Sequence, residues 1–225
     1  MTRAVDAVAQ CLERIARLDG VLHAFITVTG EQALAEARTL DEERAAGHIR
    51  GALHGLPVAI KDNIDTRGVR TTAASALFVD RTPEADAEVV RRLRAAGAIV
   101  IGKTNMQEFG LGSTSVDSHF GPVRNPWDTT RYAGGSSGGS ACAVATGMAH
   151  AALGTDTGGS VRTPAAYCGV VGLKATYGAT PLDGIIPAKL SLDHCGPITR
   201  TVSEAALLHD VLSGTKTVLG PVDTL

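Results

Sequence analysis

Apolar and polar positions alternate along this chain in two distinct periods. Val5, Val8, Leu12 and Ile15 recur at helical spacing, so the first eighteen or so residues predict an amphipathic helix that Gly20 ends. A second helix is expected after Thr29, which has Gln32 three residues on in capping-box spacing; it runs through residues 33–44 to a stop at Gly47. The charges of both helices read as a solvated face. Residues 55–63 carry a short unbroken apolar run, Pro57-Val58-Ala59-Ile60, that suits a buried strand and delivers Lys61 at its end. A third helix is signalled by Thr82 as N-cap, Pro83 at the first helical position, Glu84 and Asp86 in the first turn, then Val89, Val90 and Leu93, with Gly97 closing.

The apolar run 98–102 follows directly as another strand, a helix-to-strand step of an α/β fold. From Lys103 to Asp128 the pattern breaks up, and Pro122 and Pro126 argue against regular structure. A small-residue helix is expected over 141–148, strands over 149–153 and 169–173, and a last helix over 203–212 with Glu204 in its first turn. The fold expected is α/β, a mixed β-sheet core flanked by helices, in a single domain over 1–225 with a divergent tail at 215–225.

Composition narrows the function classes. With 225 residues, 44% hydrophobic and 20% charged, the chain can bury a substantial core. A formal net charge of -2 leaves no basic footprint for direct nucleic-acid binding. No signal peptide and no membrane span is read in the sequence. Cys11, Cys142, Cys168 and Cys195 lie far apart without a C-x-x-C pair, and the seven histidines show no ligand spacing. Reduced cysteines in a cytoplasmic protein with no metal and no cofactor are the expectation.

The chemistry concentrates in two glycine-serine loops. One reads Gly134-Gly135-Ser136-Ser137-Gly138-Gly139-Ser140, the other Gly154-Thr155-Asp156-Thr157-Gly158-Gly159-Ser160. The first satisfies G-x-S-x-G, the nucleophile elbow, but residues 125–133 before it do not read as the strand an elbow needs. No lysine follows either cluster in P-loop spacing. Thr157-Gly158-Gly159-Ser160 places flexible amides just before a serine, an arrangement that can hold a developing oxyanion while the hydroxyl attacks. A serine needs a base, and no histidine is close in sequence to either loop. A lysine serves if burial lowers its pKa, and Lys61, Lys103 and Lys174 are the three options; spacing alone does not choose among them.

Together, residues 55–62, Lys103-Thr104-Asn105, Asn125-Pro126-Trp127-Asp128, the two loops with Val161-Arg162, residues 167–174 and residues 193–200 closely resemble the amidase signature family in its own order. The resemblance covers the chain to about Gly214. It implies the amidase signature fold and a Ser-cisSer-Lys triad: Ser160 as nucleophile, Ser136 in a cis peptide as proton relay, Lys61 as base. It further implies an oxyanion hole of the amides of Thr157, Gly158, Gly159 and Ser160. Ser137 is expected as a supporting donor, Asp156 and Arg162 as residues that hold the loop, and Lys103 as structural.

The activity implied is hydrolysis of a small carboxamide through an acyl-enzyme. The alternatives are an amidotransferase A-type subunit that releases ammonia from glutamine for a partner, and an inactive fragment. A homo-oligomer or a partner subunit fits these readings. Members of the family are longer than this chain, so a C-terminally incomplete form is expected.

Overall fold

Hydrophobic alternation sorts the strands of the computed structural model, which describes residues 2–215, into two apolar layers. The strands are β1 (Phe25–Val28), β2 (Pro57–Lys61), β3 (Ile99–Thr104), β4 (Ala151–Asp156), β5 (Val171–Gly172) and β6 (His194–Thr199). They form one sheet in the order β1-β3-β2-β4-β6-β5. The central trio β3-β2-β4 is parallel; β1, β6 and β5 join antiparallel, which makes the sheet mixed, as expected.

The helices are α1 (Ala4–Leu22), α2 (Gly30–Ala45), α3 (Glu88–Ala95), α4 (Gly138–Ala145), α5 (Arg162–Cys168) and α6 (Val202–Ser213). Successive strand residues point to opposite faces. Ala59, Ile99, Ile101, Ala152 and Ile198 accordingly share one buried cluster with α1, α2 and α4. Val58, Ile60, Val100 and Leu153 share the other with Val89, Val90 and Leu93 of α3 and Leu208 and Leu212 of α6. All three central strands are buried along their whole length, and the two that carry site residues, β2 and β4, end at one edge.

Several sequence expectations need correction. The first helix runs past Gly20 to Leu22 and closes on His23 in the left-handed conformation. Thr29 does flank α2, but its hydroxyl donates to the Val100 carbonyl (3.0 Å) and makes no cap hydrogen bond. The third helix starts at Glu88, not after Thr82. Residues 83–87 are held instead by the loop after β2: Gly68 N–H donates to Pro83 O, Arg67 N–H to the Asp86 carboxylate, and Ala87 N–H to Asp65 O. The small-residue helix begins at Gly138, three residues early, and the following strand spans 151–156. Strands β1 and β6 and helix α5 have no counterpart in the expectation. The last helix carries a full capping box, in which Thr201 accepts from Glu204 N–H and the Glu204 carboxylate accepts from Thr201 N–H. The tail expected to diverge over 215–225 lies, beyond Thr215, outside the described residues.

Candidate active site

Strand β2 ends in Lys61 beside the end of β4, because the two strands pair in parallel from Val58 with Ala151 to Ile60 with Leu153. Lys61 is fully buried, and its Nζ donates to Ser136 Oγ at 2.7 Å and to Thr155 Oγ1 at 2.8 Å; the Thr155 carbonyl stands at 3.4 Å. Burial drives the Lys61 pKa down from 10.5 to about 7, because the charged form loses its water, and the more distant carboxylate of Asp156 only partly opposes this.

Ser136 follows a cis peptide bond after Gly135 and is itself buried. Its carbonyl accepts from Gln107 N–H (3.1 Å) and from Ser115 Oγ (3.2 Å), and Ser115 Oγ in turn accepts from Gly138 N–H (3.1 Å). Ser137 donates its hydroxyl to Thr155 O at 3.2 Å and its amide to Ser160 O at 3.1 Å, so the two loops are stitched together through Ser137. Gly154 permits this approach: a Cβ there would stand 2.8 Å from Ser137 Oγ. Among the described residues the Ser160 hydroxyl makes no hydrogen bond to Ser136; backbone, not side chains, links the serines.

Asp156 organises the second loop. Its buried carboxylate accepts from the amides of Gly159 (2.7 Å) and Val161 (3.1 Å) and, more distantly, of Arg162 (3.4 Å). It also takes a two-pronged ion pair from the Arg162 guanidinium, with both contacts at 3.0 Å. Burial alone would raise its pKa, but the guanidinium and the amides more than offset this and hold it below the ordinary carboxylate value. The Gly159 amide is therefore turned onto Asp156 and away from any shared oxyanion position. The amides of Thr157, Gly158 and Ser160 donate to no acceptor among the described residues. Gly158 is exposed and Ser160 half-buried, and both line a cleft of about 390 Å³ with Gly110, Leu111 and Lys189.

The other two lysines are elsewhere. Lys103 donates to Ile64 O (2.7 Å) and Thr71 Oγ1 (2.6 Å) and faces Asp62 at 3.5 Å, and burial lowers its pKa to about 8. Lys174 donates to Ala175 O at 2.7 Å and stands 3.3 Å from His194 Nε2. Sequence reasoning gave no role to Thr155 or Asn63. Asn63 donates to Thr155 Oγ1 (3.2 Å) and thereby orients the hydroxyl that holds Lys61. Alternation along Lys61-Asp62-Asn63 is the one signal that could have placed Asn63 beside Lys61.

A family profile described as Amidase matches residues 6–221. The chain is 52% identical over 209 residues to the A subunit of the glutamyl-tRNA(Gln) amidotransferase from Moorella thermoacetica, covering 93% of this chain and 43% of that protein. Among solved structures, the corresponding amidotransferase protein from Thermotoga maritima superposes with a TM-score of 0.83 at 45% identity, over 95% of this chain and 44% of that one. The native peptide amidase of Stenotrophomonas maltophilia superposes at 0.90 with 42% identity, over 96% of this chain and 45% of that one. The chain thus spans less than half the length of each of these proteins. With the profile running through nearly all of the described sheet, the chain belongs to the amidase family.

Proposed function

We propose that this chain carries the acyl-transfer centre of an amide hydrolase, with Ser160 as nucleophile, Ser136 as relay and Lys61 as base. The observation that carries the reading is the buried 2.7 Å contact between Lys61 Nζ and Ser136 Oγ. A neutral amine has two hydrogens and one lone pair. The hydroxyl and carbonyl of Thr155 take the hydrogens, which turns the lone pair toward Ser136. Near pH 7 a large fraction of Lys61 is neutral and able to accept the Ser136 proton while Ser136 accepts that of Ser160.

Ser160 Oγ, turned toward Ser136, attacks the amide carbonyl, and the amides of Thr157, Gly158 and Ser160 face the oxyanion. The C–N bond then breaks as the proton returns through Ser136 to the leaving nitrogen, and water hydrolyses the ester. Ser137, Asp156 and Arg162 hold the loops and take no proton. The substrate is a small carboxamide. The four cysteines are all buried and free, which suits a reducing, cytoplasmic setting. A fluorophosphonate should label wild-type protein at Ser160, and both Ser160→Ala and Lys61→Ala should remove the label. Labelling that survives Ser160→Ala overturns the assignment.

The second reading is an amidotransferase A-type subunit working with a partner. It is favoured by the 52% identity to a protein of that name. Release of ammonia from glutamine only when partner proteins are added would select it; equal turnover of simple amides without them would select the first.

A further inference from the structure

We infer that Lys189 makes the cleft selective for amides whose acyl part carries a carboxylate, an inference that rests on the reading of Ser160 as nucleophile. Lys189 lines the same cleft as Ser160, Thr157 and Gly158 and is the single charged side chain among its described lining residues. Its ammonium makes no ion pair or hydrogen bond among the described residues, whereas the buried Lys61 and Lys103 are both engaged by several partners. A cation left unpaired on the rim of the cleft that Ser160 lines is the complement of an anionic substrate group.

The segment that carries it is fixed to the nucleophile loop. The buried Asp193 carboxylate accepts from Lys189 N–H (3.1 and 2.9 Å to its two oxygens) and Ala188 N–H (3.0 Å), and it also accepts from the Thr157 hydroxyl. Leu192 N–H and Asp193 N–H both donate to the Lys189 carbonyl, which closes the turn. A Cβ placed on Gly110 would stand 3.7 Å from Ala188 Cβ and 3.6 Å from Ser136 Oγ, so Ala188 and Ser136 flank the same glycine. Lys189 is therefore held in register with the amides that face the oxyanion, with only its flexible stem free to follow the length of an acyl chain.

The same cleft is lined by Gly110, Leu111 and Gly112, uncharged groups that a short methylene chain can cross. The substrate class is thus the ω-monoamide of a short dicarboxylic acid, with no requirement for a second, cationic group.

The test is protection of Ser160 from fluorophosphonate labelling at a pH above the Lys61 value of about 7, which reads binding without requiring turnover. Succinamate is compared with neutral succinamide, and glutaramate with glutaramide. Each anion should halve labelling at a concentration about tenfold below that of its neutral counterpart, the factor one charge-assisted hydrogen bond supplies. The preference should shrink at high salt, survive Lys189→Arg, fall to about one in Lys189→Met and reverse in Lys189→Glu. A wild-type ratio near one, or a preference that persists in Lys189→Glu, overturns the role of Lys189 while leaving the Ser160 assignment intact. Absence of Ser160 labelling in wild-type protein overturns the parent reading and this inference with it.

Discussion

Lys61, the last residue of β2, and Lys103, the last but one of the adjacent parallel β3, face opposite sides of the sheet: Lys61 pairs with Thr104, whereas Lys103 pairs with Ile60. Paired residues of neighbouring strands share a face, and a register shift between the Val58–Val100 and Ala59–Gly102 pairs interrupts the alternation of β3, so Lys103 falls on the face of Ile60 and not on that of Ile99 and Ile101. Lys61 therefore meets Ser136 and Thr155 on the side of α4, and Lys103 meets Asp62 and Thr71 on the side of α3. Burial lowers the pKa of both, to about 7 and about 8, but only Lys103 has a carboxylate in contact.

The base assignment predicts a pH profile. Deprotonated Lys61 is the active form, so the rate of Ser160 labelling should rise with pH through about 7 and then level off. Lys61→Ala should lower the plateau by about 10²–10⁴-fold, the usual contribution of a positioned base. An unchanged profile in Lys61→Ala would remove Lys61 from the reaction.

Stability should follow pH with a maximum. The unfolded chain keeps its lysine protons to about pH 10.5, while folded Lys61 and Lys103 release theirs near 7 and 8. Between those limits the unfolded state binds more protons, so these groups make stability rise with pH. The thiols act in the opposite direction. Burial raises Cys11 to about 11, Cys168 and Cys195 to about 12, and Cys142 well above 9.0. Above pH 9 the unfolded chain sheds thiol protons that the folded chain keeps, and stability falls. Urea midpoints in reductant should peak near pH 9, and Lys61→Met should flatten the ascending limb by about 1.4 kcal/mol per pH unit at most, one proton's slope. A steady fall from pH 7 to 9 contradicts this account.

Lys103→Met should destabilise the fold by about 3–5 kcal/mol, because it strands a buried carboxylate. Asp62 would keep its bonds from Thr72 N–H and Oγ1 but lose its facing cation. Adding Asp62→Asn removes the stranded charge and should recover part of the loss in a chemical denaturation series. Equal midpoints for the single and double variants would show that the pair is not coupled.

The parts of the fold legible in the sequence are those whose signals are local. The apolar run before Lys61 and the stretch 203–212 with Glu204 in its first turn read as a strand and a helix close to those observed. Strand β6 was hidden because His194-Cys195-Gly196-Pro197-Ile198-Thr199 places glycine and proline inside a strand. It forms between β4 and β5, with Pro197 opposite Leu153, so a tertiary partner overrides a local breaker. Thr82-Pro83 failed in the opposite sense, since a good local start signal lost to backbone bonds with residues 65–68. At the site, the lysine choice came from the family resemblance. The supports at Thr155, Asn63 and Ser115 depend on contacts across 21 to 94 residues that no local pattern encodes.

Asp156 and Arg162 should differ sharply on substitution despite being partners. Arg162 is half exposed, so Arg162→Ala removes a contact that solvent already weakens, at a cost of about 0–1 kcal/mol. Asp156→Asn turns an amide NH2 toward donors that now have no acceptor, inside a buried site, and should cost about 3–5 kcal/mol and most of the Ser160 labelling. Thermal midpoints and labelling rates of the two variants check the order, and a milder effect for Asp156→Asn would refute it.

Gly139 and Gly158 form a last contrast, because both belong to glycine pairs that look alike in sequence. A Cβ on Gly139 would stand 2.4 Å from the carbonyl oxygens of Ala24 and Asn105, where α4 starts against the strand ends. Neither oxygen can retreat without breaking backbone bonds, since Ala24 O accepts from Asn105 N–H and Asn105 O from Gly139 N–H itself. Gly139→Ala should therefore abolish soluble folded protein or lower its stability by more than about 3 kcal/mol, the scale of severe overpacking. A Cβ on Gly158 meets nothing within 4 Å, and its backbone is not in the left-handed region. Gly158→Ala should melt within about 0.5 kcal/mol of wild type, yet it places a methyl group in the cleft beside Ser160 and should slow labelling by bulky fluorophosphonates more than by small ones. A fold that tolerates Gly139→Ala but not Gly158→Ala would reverse the division of labour between packing glycine and cleft glycine.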